Sequence, residues 1–360
     1  MRYTGAMVRF VCVLSICAAA GAQPAPQRLE VRGAYSHPGA FWKTGARLDE
    51  YGINAVFVHG GSINAELARR VRGEGARLFA EFATLNGKGY VERHPEAWPV
   101  NERGEKAPAA TWFLGACPTE PGFRAWRLKQ LEELLDQHAV DGVWMDYLHW
   151  HAQFEDPQPV LPETCFSPTC LREFSRASGI RLPGGSVAEQ ARWILARHDR
   201  EWREWRCGVI LDWIRAVRAV MERKRPGILL GSYQCPWDDR DFGGARQRIL
   251  GLDLKRMAPL VDVMSPMVYH ARMGRPGEWV GEAVEWLGRT VAGPRAPRIW
   301  PIVQAHGDPR EISRQEFARV LELGRSGPAT GVMMFTIGSV AQDRGKMAAL
   351  KDLYGAWARE

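Results

Sequence analysis

Residues 141–150 read DGVWMDYLHW. An apolar run, Val143-Trp144-Met145, ends on one carboxylate, Asp146, and rings follow at once in Tyr147, His149 and Trp150. A short apolar run of this kind reads as a buried strand of a parallel sheet covered by helices. Alternation along the strand puts Trp144 and Asp146 on the same side. A carboxylate at such a place costs free energy unless it has partners or a ligand. What gathers around Asp146 therefore decides both the fold and its use.

Seven further segments have the same character: VRGAYS (31–36), NAVFVHG (54–60), RLFAEFA (77–83), ILLGSY (228–233), VDVMSPMVY (261–269), IWPIVQA (299–305) and GVMMFTIG (331–338). Helical stretches lie between them, at 63–74, 121–138, 187–224 and 342–358, the third with room for an interruption. Ser186 with Glu189, and Ser313 with Glu316, fit capping boxes that open helices. Strand and helix alternate eight times, which predicts an α/β fold, a single (β/α)8 TIM barrel. A doubly wound open sheet would show a glycine-rich phosphate loop after its first strand, and SHPGAF lacks that spacing. The long excursions, 84–120 and 149–185, follow strands three and four. They are expected to wall the C-terminal face, where such barrels hold their sites.

The strand ends carry the polar residues. Tyr35 and His37 close strand one, His59 strand two, and Glu81 lies within strand three. Strand four ends in Asp146, Tyr147, His149 and His151, and strand five in Tyr233, followed by Trp237. Tyr269 and His270 end strand six, and Gln304 and His306 strand seven. Six of the nine histidines thus fall on one expected face, a concentration that scattered surface residues would not produce. Asp146 is the leading candidate for a nucleophile, general base or charge stabiliser, and Glu81, nested among Phe79, Ala80 and Phe82, for its catalytic partner. Glu155, Asp156, Asp238 and Asp239 lie in loops above the barrel and read first as surface acids. Rings at Tyr35, Trp112, Tyr147, Trp150, Tyr233, Trp237 and Tyr269 offer flat apolar faces. With His59, His149, His151, His270 and Gln304 to bind hydroxyls, they suit sugar rings, which have apolar C–H faces and polar edges.

The 360-residue chain is 46% hydrophobic and 25% charged, enough for a sizeable core. Residues 1–22 fit an export signal: Arg2 and Arg9, an apolar run over 10–20, and Ala20-Gly21-Ala22 before Gln23. The expected mature domain is 23–360, periplasmic or secreted. No later stretch is long and apolar enough for a membrane span. Removing the signal lowers the net charge from +7 to +5. The basic residues are scattered among acids, as in RRVRGEGAR, so a solvated surface is expected rather than a nucleic-acid groove. Five cysteines remain, and Cys165 and Cys170 of CFSPTC form the obvious local disulfide pair. Zinc at CFSPTC would need two further ligands that the sequence does not indicate, and no metal or cofactor is expected.

The order of features resembles that of bacterial glycoside-hydrolase barrels. It runs from GARLFAEF through HPEAWPVNERGEK, TWFLGACPTEPGFR and DGVWMDYLHWHAQFE to CFSPTCLREF, with VDVMSPMVYH and GVMMFTIGS farther on. The resemblance covers most of residues 30–340 and implies a barrel that cleaves or binds carbohydrate, with the strand-four aspartate, Asp146, catalytic. It does not supply the second acid, since strand six reads SPMVYH without a carboxylate. The expectation is an exported glycoside hydrolase acting on a poly- or oligosaccharide. Its rivals are a metal-dependent hydrolase built on His149-Trp150-His151, and a non-catalytic carbohydrate-binding barrel.

Overall fold

The computed structural model describes residues 28–360; the export segment expected at 1–22 lies outside the described residues. The strands are β1 (Val31–Tyr35), β2 (Ala55–His59), β3 (Arg77–Ala83), β4 (Gly142–Asp146), β5 (Leu229–Gln234), β6 (Val263–Val268), β7 (Arg298–Ile299), β8 (Ile302–Gln304) and β9 (Gly331–Phe335). All pair in parallel. β1 joins both β2 and β9, and β5 joins β6, so the sheet closes on itself. The two short strands β7 and β8 share one barrel position, which gives the eight-position barrel the sequence predicts. The expected seventh strand is split because Pro301 has no N–H to donate to the ladder.

Helices cover the outside and bury one face each, as Leu131 and Leu135 of the helix Pro121–Gln137 do. The long helical region is interrupted at His198, which ends Val187–Arg197 and precedes Asp199–Lys224. The capping box at Ser186 and Glu189 is present in full, while Ser313 caps Arg314–Gly324 through the Glu316 amide. Among the described residues no helix is long and apolar enough to cross a membrane.

The barrel interior is closed by aromatic side chains. Phe57 and Phe79 stack at 4.7 Å, Trp144 and Trp300 at 5.5 Å, and the two pairs meet edge to face. The Trp144 indole N–H donates to Ser265 Oγ at 3.0 Å, so this large ring is buried without an orphaned donor. Room for it comes from β5, where a Cβ on Gly231 would stand 2.1 Å from the Trp144 ring. This plug is the floor of the site.

Candidate active site

Two residues beyond the floor along each strand lies the next layer. Trp144 gives way to Asp146, Phe79 to Glu81, Gly231 to Tyr233 and Gly33 to Tyr35, because alternate side chains share a face. Tyr35, Asp146, Tyr147, Tyr233, Tyr269 and Phe335 line a pocket of about 210 Å³ at the C-terminal mouth. Trp112 from the loop after β3, Glu155 from the loop after β4, and Met267 and Arg272 complete its wall. The pocket is below the roughly 300–1,000 Å³ of a drug-sized site, which suits one ring rather than several.

Asp146 Oδ1 accepts the Tyr147 N–H at 2.7 Å, and its carbonyl accepts the Thr84 N–H at 2.8 Å. The first bond requires a tight turn, with Tyr147 at φ 50°; Ser36, just past β1, stands at φ 83°. Non-glycine residues pay about 1–2 kcal/mol for this region. Both strained residues flank the pocket, where backbone strain tends to collect around function.

Two carboxyls, Asp146 and Glu155, line the mouth, and a third, Glu81, lies behind it. Burial raises the pKa of Asp146 well above the usual range, and the charges of Glu81 and Glu155 push it further; the Tyr147 N–H acts the other way. Glu155 is raised to about 7 by burial, against the pull of Arg272, whose guanidinium lies 3.7 Å away. Glu81 is also raised by burial, opposed by the Tyr35 hydroxyl, which donates to its Oε2, and by His59. Burial and these acids raise the tyrosine pKa values, so Tyr35, Tyr147, Tyr233 and Tyr269 remain protonated donors. The Tyr233 hydroxyl is buried with no protein partner, an unusual state for a polar group.

The residues singled out from sequence divide into two groups. Asp146, Tyr35, Tyr147, Tyr233 and Tyr269 meet in the pocket, as does Trp112. Glu81 lies behind Tyr35, and with His59 it borders a neighbouring cavity of about 350 Å³ against the helix Pro121–Gln137. The others are engaged elsewhere. His149 Nδ1 donates to the Trp150 carbonyl at 2.8 Å, its ring lies between Phe113 and Phe154, and burial lowers its pKa to about 4. His151 Nδ1 accepts from Gly115 N–H at 3.1 Å, which leaves Nε2 to donate to Pro108 O at 2.7 Å. The His-Trp-His pair therefore ties loops together and does not converge on Asp146. Trp237 is buried against Phe154 and Phe242, and His270 donates to Glu316 at 2.7 Å. Gln304 accepts the Arg272 N–H and donates to the His306 and Asp308 carbonyls, so it shapes the loops that present Arg272.

Sequence reasoning underrated Glu155 and missed Arg272, Met267 and Phe335. Arg272, three residues past Tyr269, was the readable signal: its guanidinium stacks over Trp112 at 4.7 Å and reaches toward Glu155. The expected Cys165–Cys170 disulfide is absent; all five described cysteines are free and buried.

The chain has the closed parallel barrel fold of solved glycoside hydrolase structures. It superposes on the glycoside hydrolase domain of PgaB (BpsB) from Bordetella bronchiseptica with a TM-score of 0.64 at 14% identity, over 90% of this chain and 98% of that one. The β-galactosidase from the psychrophilic Marinomonas ef1 gives 0.66 at 13% identity, over 90% of this chain and 58% of that one. The β-galactosidase from Bacillus circulans sp. alkalophilus gives 0.61 at 13%, over 86% and 50%. No protein-family model matches the sequence, and no curated protein sequence matches it.

Proposed function

We propose that this chain is an exported glycoside hydrolase that holds one sugar ring in the tyrosine-lined pocket and cleaves its glycosidic bond with Asp146 and Glu155. The observation that carries the reading is the presence of both carboxyls in the wall of one small pocket, with Glu155 raised to about 7. Glycoside cleavage needs a protonated acid beside the leaving oxygen and an ionised carboxylate at the sugar carbon. In this reading Glu155 supplies the proton. Asp146 is raised mainly by burial and by the charge of Glu81, with Glu155 adding least; it serves as the carboxylate when positive charge develops on the sugar carbon beside it, which favours the ionised form. Two neighbouring carboxyls sharing one proton are poised for this division of labour.

Glu81 acts through Tyr35, which it orients by accepting the phenol O–H. The unpartnered Tyr233 hydroxyl is a ready donor or acceptor for a sugar hydroxyl. Phe335 and the tyrosine faces pack against the ring C–H groups. A separation of about 5–5.5 Å between the two carboxyls implies retention of configuration, and about 6.5–9.5 Å implies inversion. Export rests on the residues 1–22 signal pattern, and carbohydrate is the expected partner.

The test is release of reducing ends from a panel of bacterial and plant polysaccharides by the wild type, Asp146→Asn and Glu155→Gln. Either near-isosteric change is expected to cost at least about a hundredfold in kcat. Release that survives Asp146→Asn would refute the assignment. Oligosaccharide binding with no cleavage by wild type would instead favour a binding barrel.

A further inference from the structure

Away from the pocket, three thiols from two different loops meet in the core. The Sγ atoms of Cys117, Cys165 and Cys170 all lie within 4.8 Å of one another, and every one is buried. Cys117 and Cys170 are 3.4 Å apart. The surroundings supply donors. Val100 N–H and Ser167 N–H both point at Cys165 Sγ at 3.4 Å. Ser167 Oγ lies 3.4 Å from Cys117 Sγ, and Thr119 Oγ1 lies 3.1 Å from Cys170 Sγ.

A buried cysteine usually behaves as a small apolar side chain. Apolar packing does not call for two backbone N–H groups on one sulfur, or for hydroxyls against the other two. The two backbone N–H groups on Cys165 Sγ match a thiolate. Cys170 also sits in the first turn of the helix Pro168–Ser178, whose N-terminal end favours negative charge. Three thiolates without a cation could not stay buried together, because their charges would repel at short range. Tetrahedral zinc, with sulfurs at about 2.3 Å, places those sulfurs about 3.8 Å apart, close to the spacing already present.

We infer that Cys117, Cys165 and Cys170 form a structural zinc site, with a hydroxyl oxygen from Ser167 or Thr119 as the fourth ligand. Binding exchanges three S–H protons, released to solvent, for three S–Zn bonds. The residual negative charge lies within electrostatic reach of Arg206, which is fully buried and paired with Glu163. The site fastens the loop after β3, which carries Trp112, to the loop after β4, which carries Glu155. It is thus a clamp on two walls of the pocket rather than part of the chemistry.

Metal content reads this site without any assay of activity. The full chain, purified in reducing buffer free of chelator, is expected to hold one zinc per chain. Cys117→Ser and Cys170→Ser should lose it, whereas Cys207→Ser and Cys235→Ser keep it. Cobalt(II) in place of zinc should show the thiolate-to-cobalt charge-transfer band and tetrahedral visible bands. Ser167→Cys guards against variants that fail to fold: it adds a fourth thiolate, and should strengthen the cobalt band and tighten zinc by roughly tenfold or more in chelator competition. Reduced wild type that holds no zinc and takes up none from a zinc-buffered solution would overturn the inference. So would peptide mass spectra of unreduced protein in which any two of the three cysteines are joined by a disulfide.

Discussion

Glu155 still holds its proton in about half of the molecules at neutral pH, because burial disfavours its ionised form more than Arg272 favours it. Its pKa rises from 4.5 to about 7 on folding. Through that window the folded chain holds a proton the unfolded chain has released, so stability falls as pH rises and the full penalty stands above about pH 7. At about 1.4 kcal/mol per unit the penalty is roughly 3 kcal/mol. Glu155→Gln removes it. The variant should melt higher than wild type at about pH 8 and nearly the same at about pH 4, where the carboxyl is neutral in both states. The wild-type rate should fall above about pH 7 as the acid loses its proton. Equal melting shifts at both pH values would show that Glu155 titrates normally. Asp146 and the tyrosines were legible in the sequence because they end strands, and parallel strands all end at one face. Glu155 was not, because its place depends on how a long loop folds back over the barrel. The histidines misled for the same reason: strand-end position brought them to the right face, and backbone carbonyls then claimed His149 and His151.

Among elements, the loops after β3 and β4 stand as one wall, joined by Thr111 to Gln153, by Phe166 to Val100 and, nearest the pocket wall, by His151. His151 accepts from Gly115 and donates to Pro108, and the first bond needs the neutral ring that burial favours. Removing one partner of a buried hydrogen bond costs about 1–3 kcal/mol. His151→Ala should therefore lower the melting temperature, speed hydrogen exchange at the Gly115 amide and open residues 108–115 to protease. It should also raise KM more than it lowers kcat, since Trp112 sits in this stretch. Unchanged exchange at Gly115 would mean the bridge does not hold the loop. The strands themselves needed no tertiary knowledge: runs such as AVFVH and GVWMD are buried up to their last residues, the exposed His59 and the half-buried Asp146, as their composition demands. The sequence reads strand seven as one segment, 299–305, because Pro301 leaves the apolar pattern intact while its missing N–H splits the ladder.

At the scale of the molecule, a barrel is stable only if its first and last strands find each other, and they are separated by nearly the whole chain. The pairing of β1 with β9 is covered from outside by the C-terminal helix Arg344–Trp357. Tyr354, fully buried, donates toward the carbonyls of Gly33 on β1 at 3.0 Å and Val332 on β9 at 3.3 Å. One hydroxyl thus spans the seam. The same helix turn presses on Gly52, where a Cβ would meet the Tyr354 carbonyl at 2.5 Å and where φ is 68°. Tyr354→Phe keeps the ring and removes only the donor, so it should cost about 1–3 kcal/mol, read as a lower urea midpoint with an unchanged slope. Deleting residues 343–360 strips the cover from the seam, buried apolar surface included, and should abolish cooperative unfolding. A truncated chain that still unfolds in one sharp transition would show that strand pairing alone closes the barrel.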